Sequence, residues 1–240
     1  MLNRYFVNST DAFVAISESV YNDLDHFVKH KKKILSIHPL YDNFGKAVDK
    51  DRAISNLSLD KDYRYMLFFG IIRQYKGLDI LLEAFSDNRL QTKNIKLIIA
   101  GEFYEDSQPY YDLIDKYNLS DSVVLVTNFI PDNEVSNYFC AADIIVQPYK
   151  HATQSGVTQI AYHFDKPMLV TNVGGLKEIV PHNKVGYVCK PQPNDVADYL
   201  VKFFSQNKES DFIKGVKEEK HKYSWSRMID DIKFLYSKLV

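Results

Sequence analysis

YMLFFGIIRQYKGLDILLEAF, residues 65–85, holds two folding patterns and a turn between them. YMLFFG is continuously apolar, as a strand buried on both faces must be. LDILLEAF has apolar residues at helical spacing. The turn between them, GIIRQYKG (70–77), sets Arg73 and Lys76 three positions apart between Gly70 and Gly77. The same alternation continues down the chain. IKLIIAG (95–101), SVVLVTN (122–128), DIIVQP (143–148), PMLVTN (167–172) and VGYVCK (185–190) predict strands, and the intervening stretches predict helices near 77–87, 108–118, 132–141, 156–164 and 174–180. Continuous apolar strands separated by helices need a parallel sheet covered on both faces. With right-handed crossovers this gives a Rossmann-like, doubly wound α/β domain from about residue 63. The tail predicts three helices, at 193–206, 208–219 and 225–239.

Upstream the pattern differs. AFVAIS (12–17) and KKILSIH (32–38) read as strands flanking a helix in SESVYNDLDHFVKH that Ser17 caps. Such a unit, residues 1–44, cannot bury both faces of its sheet alone, so we expect it to be the end of another domain in a longer protein. Residues 39–62 are polar and turn-rich without sustained periodicity, and we expect a linker over 45–62. There is no internal repeat or low-complexity tract.

Composition narrows the function. The 240 residues are 45% hydrophobic with a formal net charge of −1, which argues against holding nucleic acid by bulk charge. The seventeen tyrosines form no stacking register for a single strand. Cys140 and Cys189 lie in apolar segments without a pairing pattern and read as buried free thiols of a reducing compartment. No apolar run approaches the ~20 residues that cross a bilayer, and MLNRYFVNST lacks a signal-peptide core, so a cytoplasmic location is expected.

Ligands of an open parallel sheet gather beyond the carboxyl ends of its strands, where helix N-termini attract anions. GIIRQYKG, GEFYED (101–106), TNFIP (127–131) and PYKHATQSG (148–156) fall at such ends. Arg73 offers a planar donor fork for phosphate, Lys76 a point charge, and Ser155 and Gly156 the amides of a helix start. A solvated pair of surface cations is the alternative. Neither G-x-G-x-x-G nor G-x-x-x-x-G-K-[ST] occurs, so a dinucleotide fingerprint and a P-loop are not supported.

Together GIIRQYKGLDILLEAF, the IIAGE strand end, VVLVTNFIPDNEVSNYFCAADIIVQPY and KPMLVTNVGGLKEIVPHNKVGYV resemble the donor-binding half of family-4 (group 1 type) glycosyltransferases of GT-B fold. The likeness runs from about 63 to 206. DAFVAISESVYNDL with ILSIHPLYDNF resembles the end of that family's acceptor domain. YSWSRMIDDIKFLYSKL resembles its closing helix, which packs back toward that domain. The implied division is an acceptor-domain remnant (1–44), a linker (45–62), a nucleotide-sugar donor domain (63–222) and a closing helix (223–240). The implied activity is transfer of a hexosyl-type unit from a nucleotide-diphosphate sugar to an acceptor hydroxyl with retention, without a metal or other cofactor. Arg73 and Lys76 match the catalytic cations on the donor diphosphate, and Gly70 the glycine of the turn before them. Glu102 follows the second-strand glycine, Gly101; Asn128, Phe129 and Ile130 match the nucleobase wall. Gly174, Gly175 and Glu178 match the Gly-Gly…Glu turn near the donor. ATQSGVT contributes Gln154, Ser155, Gly156 and Val157 to the phosphate.

One departure stands out. The family carries two glutamates separated by seven residues, one on the sugar and one on the ribose. An ungapped match puts Ala152 and Ile160 there, leaving His151, Gln154, Thr158 and Gln159 as the nearest polar groups. A non-catalytic nucleotide-sugar binding or scaffold domain is therefore a second expectation, and a sugar-nucleotide epimerase a third. The implied partners are the nucleotide sugar, the N-terminal acceptor domain and a glycan or lipid-linked acceptor. The residues given are expected to bind a nucleoside diphosphate yet transfer nothing by themselves. DKD (60–62) reads as a solvated turn rather than a metal site. KHKKK (29–33) reads as a solvated turn with at most weak contact to the inner face of a membrane. Tyr162 and His163 read as core, and bracing of its own turn is the alternative for Glu178.

Overall fold

The structure is a computed structural model and describes residues 6–28 and 30–239. The upstream unit is β1 (Ala12–Ala15), α1 (Glu18–Asp23) and β2 (Lys32–Leu35), with β1 and β2 paired in parallel, Ala12 opposite Lys32. Ser17 caps α1 as expected, accepting from the Val20 amide at 3.2 Å. The basic cluster is not a solvated turn. Lys31 Nζ donates to the carbonyls of Val7, Asn8 and Thr10, and Lys33 Nζ to Tyr21 O and the Asp25 carboxylate. Lys29 lies outside the described residues.

The stretch expected as a linker contains α2 (Lys50–Asn56). Asp49 caps it, accepting from the Asp51 amide at 2.9 Å, and Ala53 and Ile54 are buried in the core. Two buried positions in two turns are too few to produce a visible period, which is why the pattern reads as irregular.

All six strands expected from residue 63 onward are present. They are β3 (Arg64–Phe69), followed by α3 (Leu78–Phe85) and the short α4 (Asn88–Gln91); β4 (Ile95–Ala100) and α5 (Gln108–Lys116); β5 (Val123–Val126) and α6 (Asp132–Ala141); β6 (Ile144–Gln147) and α7 (Gly156–His163); β7 (Met168–Thr171) and α8 (Leu176–Ile179); and β8 (Gly186–Cys189). Three helices follow: α9 (Pro193–Ser205), α10 (Glu209–Glu219) and α11 (Trp225–Ser237). The sheet is wholly parallel in the order β5-β4-β3-β6-β7-β8.

Strand alternation divides the core. Tyr65, Leu67, Ile98 and Ile145 face the layer that holds α2, α6 and α7; Met66, Phe68, Ile99, Ile144 and Val146 face the layer that holds α3, α5 and α9. Burying the strands on both faces explains why they read as unbroken apolar runs. Cys140 and Cys189 are free and buried. Tyr162 is fully buried and its hydroxyl donates to Ile179 O, whereas His163 leaves the core and bonds Gly45 O at 2.8 Å. The closing helix α11 lies against β2, where Ser36 Oγ donates to Asp231 at 2.8 Å. No described helix is long and apolar enough to cross a membrane.

Candidate active site

Strand order reverses between β3 and β6, and the crevice beyond their carboxyl ends is where such a sheet admits a ligand. The GIIRQYKG turn forms one wall. Gly77 sits at φ +70°, and a Cβ there would lie 2.0 Å from Pro148 O, so only glycine lets the turn press against the end of β6. The Lys150 amide then donates to Tyr75 O at 2.7 Å, tying the β3 turn to the β6 turn.

Lys76 is 8% exposed, and its ammonium has no hydrogen bond or ion pair among the described residues. Burial, and then the nearby Arg73 charge, hold its pKa down at about 8. Arg73 is exposed, with its guanidinium 5.4 Å from the centre of the Tyr104 ring. Both cations line a cavity of ≈ 430 Å³, together with Gly70, Tyr149, Ser155 and Gly156. Ser155 caps α7 by accepting from the Val157 amide at 3.2 Å and is paired with the Tyr149 hydroxyl, also at 3.2 Å. Thus the positive end of α7, a buried ammonium and a guanidinium converge on one space with no carboxylate in its lining. That electrostatic set favours an anion.

Two further cavities adjoin it. One, of ≈ 180 Å³, shares Phe69, Gly70 and Ile71 and adds Gly101, Glu102, Phe129, Ile130 and Phe44. The other, of ≈ 570 Å³, shares Tyr75 and adds Lys150, His151, Ala152, Thr153, Val173 and Gly174. Gly174 is confined there: at φ +47°, its Cβ would fall 1.5 Å from Ala152 O.

The structure therefore gathers Gly70, Arg73, Lys76, Glu102, Phe129, Ile130, His151, Gln154, Ser155, Gly156 and Val157 along one cleft. Asn128 is exposed and outside these linings. Gln159 is buried, its Oε1 without a partner, and also outside them. Glu178 is also outside these linings. Its carboxylate accepts from the amides of Glu18 (2.8 Å) and Ser19 (3.3 Å), so it caps α1 rather than bracing its own turn. The unpaired amides at that helix start draw it across the chain. The positions lacking acids both face the cleft: Ile160 lines the first cavity and Ala152 the third.

Several lining residues are not among the sequence candidates, and three of them are aromatic residues that frame the first two cavities: Tyr75, Tyr149 and Phe44. Tyr75 lies inside GIIRQYKG and Tyr149 inside PYKHATQSG, so both are within reach of the sequence; Phe44 ends ILSIHPLYDNF, a stretch without helical or strand periodicity at that point. Asp60 and Asp62 of DKD are exposed, and Asp60 O accepts from the Tyr65 hydroxyl at 2.6 Å. Among the described residues no group of three or more His, Cys, Asp or Glu side chains is arranged to hold a metal ion.

Comparison with known proteins bears on the fold and the family. The chain is 25% identical over 238 residues to an uncharacterised glycosyltransferase of Methanocaldococcus jannaschii, covering 98% of this chain and 62% of that one. It superimposes on sucrose-phosphate synthase from Thermosynechococcus elongatus with a TM-score of 0.84 at 21% identity, over 100% of this chain and 61% of that one. It superimposes on Anabaena HepE in complex with UDP at 0.83 and 15% identity, over 98% and 67%. The chain spans about half to three-fifths of the length of the curated relatives it matches. The family model described as glycosyl transferases group 1 matches residues 49–219, from the cap of α2 to the end of α10. The chain belongs to the group 1 glycosyl transferases and carries the Rossmann-like half of their GT-B fold.

Proposed function

We propose that the cleft binds a nucleotide-diphosphate sugar and that the whole protein transfers its glycosyl unit to an acceptor hydroxyl with retention at the anomeric carbon. The observation that carries this reading is Lys76, a buried lysine whose ammonium makes no hydrogen bond or ion pair among the described residues and shares its cavity with Arg73 and the N-terminus of α7. In this reading the diphosphate occupies the ≈ 430 Å³ cavity, the base lies toward Phe129 and Ile130, and the sugar toward His151 and Thr153. Cleavage of the bond from the anomeric carbon to the diphosphate oxygen leaves negative charge on that oxygen. Arg73, Lys76 and the α7 amides are placed to stabilise it, and one such preorganised donor is commonly worth about 3–4 kcal/mol.

Arg73→Ala or Lys76→Ala in the full-length enzyme is expected to lower turnover by roughly a hundredfold or more. Unchanged turnover in both variants, with circular dichroism showing the fold intact, rejects the assignment.

A second reading, a non-catalytic nucleotide-sugar binding domain, is favoured by one observation: the cleft carries Ala152 and Ile160 where acids would meet the sugar and ribose. A product assay on the full-length protein separates the two, because the scaffold binds donor and releases no transferred product.

A further inference from the structure

The segment between β2 and α2 runs along the outside of α7. Leu40 is held by its amide to Tyr223 O at 3.1 Å, and Gly45 by its carbonyl to His163 at the far end of α7. Between these two anchors stand two aromatic rings. Phe44 lines the ≈ 180 Å³ cavity. Tyr41 packs on the first residue of α7: a methyl placed on Gly156 would lie 3.3 Å from Tyr41 Cε2 and 4.0 Å from its hydroxyl oxygen. The rings meet edge to face at 6.4 Å, and the His38 ring backs Tyr41 at 5.1 Å. The Tyr41 hydroxyl has no partner among the described residues, although it stands beside the residue that opens the anion cavity.

We propose that Tyr41, packed on Gly156 beside the cavity, is a donor-positioning residue whose hydroxyl donates to the phosphate seated at the N-terminus of α7. The proposal rests on the nucleotide-sugar reading of the cleft. A tyrosine is suited to this place because its O–H adds a directed donor without a third buried charge, and its flat ring fills the space that Gly156 leaves. The independent sign of an anion there is Lys76, nine-tenths buried in the same cavity with no hydrogen bond or ion pair among the described residues. Held at Leu40 and Gly45, the hydroxyl is presented without ordering a loop on binding.

The test is calorimetric titration of the chain with UDP, GDP and ADP, followed by NMR titration with the nucleoside of the tightest binder. Tyr41→Phe is expected to weaken that diphosphate about tenfold, as loss of one hydrogen bond to a charged group does, and to leave the nucleoside affinity unchanged. A ring with a merely structural role would move neither value in Tyr41→Phe. If Tyr41→Phe binds the diphosphate like wild type while Arg73→Ala loses it, this proposal fails and the reading of the cleft stands. If wild type binds none of the three nucleotides, both fail.

Discussion

Lys166 and Lys76 are buried to nearly the same extent, 9% and 8% exposed, at opposite ends of one sheet. Below the amino end of β6, Lys166 donates to the carbonyls of Cys140 and Ala142 at 3.1 and 2.9 Å. Beside it Asp143, 1% exposed, accepts from the Tyr65 amide and Lys50, both at 2.6 Å, and from Arg64 at 3.5 Å. Every buried charge there meets a partner from its own chain. At the carboxyl end, Lys76 meets no carbonyl or carboxylate, and only the Tyr149 ring lies near its ammonium, 5.8 Å from the ring centre. Burying a charge is costly unless it is paired, and in the proposed reading a ligand anion supplies the missing pair. One end of the sheet satisfies its buried charges from within the chain, and the other, on the proposed reading, completes them with a substrate.

The sharpest way to break this contrast is to remove a charge at each end. Asp143→Ala strips the acceptor from Lys50, Arg64 and the Tyr65 amide together, and removing one partner of a buried pair typically costs about 3–5 kcal/mol. Because Lys50 begins α2, loosening of that helix from the domain is expected as well. Urea unfolding followed by tryptophan fluorescence and circular dichroism measures the loss. A change under 1 kcal/mol would show that the lower network is not a structural anchor.

Lys76→Met is expected to do the opposite. With its pKa at about 8 in the folded chain against 10.5 as a free side chain, the charged form is disfavoured by folding. Below pH 8 the lysine is protonated in both states, so the full penalty is present; it disappears as pH rises from 8 toward 10.5. The shift corresponds to about 3 kcal/mol. An apolar isostere should therefore stabilise the fold at pH 7 by up to that amount and abolish nucleoside diphosphate binding. A destabilised variant would show that the ammonium has a structural partner after all.

The same contrast explains what was legible in the sequence. The sheet was legible because each strand is buried on both faces, which leaves an unbroken apolar run. The cations were legible because a strand-to-helix turn in a parallel sheet fixes where Arg73 and Lys76 must emerge. What escaped is pairing over long chain distances. Glu178 caps a helix 160 residues upstream, and nothing near it distinguishes a ligand-facing carboxylate from a capping one. Lys31 looked solvated because its carbonyl partners are set by the fold of residues 7–10. Tyr41 and Phe44 reach the cleft from a segment whose position depends on Tyr223 and His163, far along the chain.

The smallest expected effect is the most specific to the upper site. Lys76 binds an anion only as the ammonium, and in the free chain it loses its proton through pH 8. An anion in contact favours the charged form and raises the pKa of the bound state, so binding takes up a proton above pH 8. Affinity for a nucleoside diphosphate should therefore fall about tenfold between pH 7 and pH 9. Calorimetry in two buffers of different ionisation enthalpy should register the proton uptake directly. Lys76→Arg, which stays charged throughout, should flatten that profile even if its absolute affinity is lower. The lower network offers a control: Lys166 has no contact with the cleft, so Lys166→Met should leave the pH profile of binding unchanged. A wild-type profile that is already flat from pH 7 to 9 would mean that Lys76 is not the group meeting the anion.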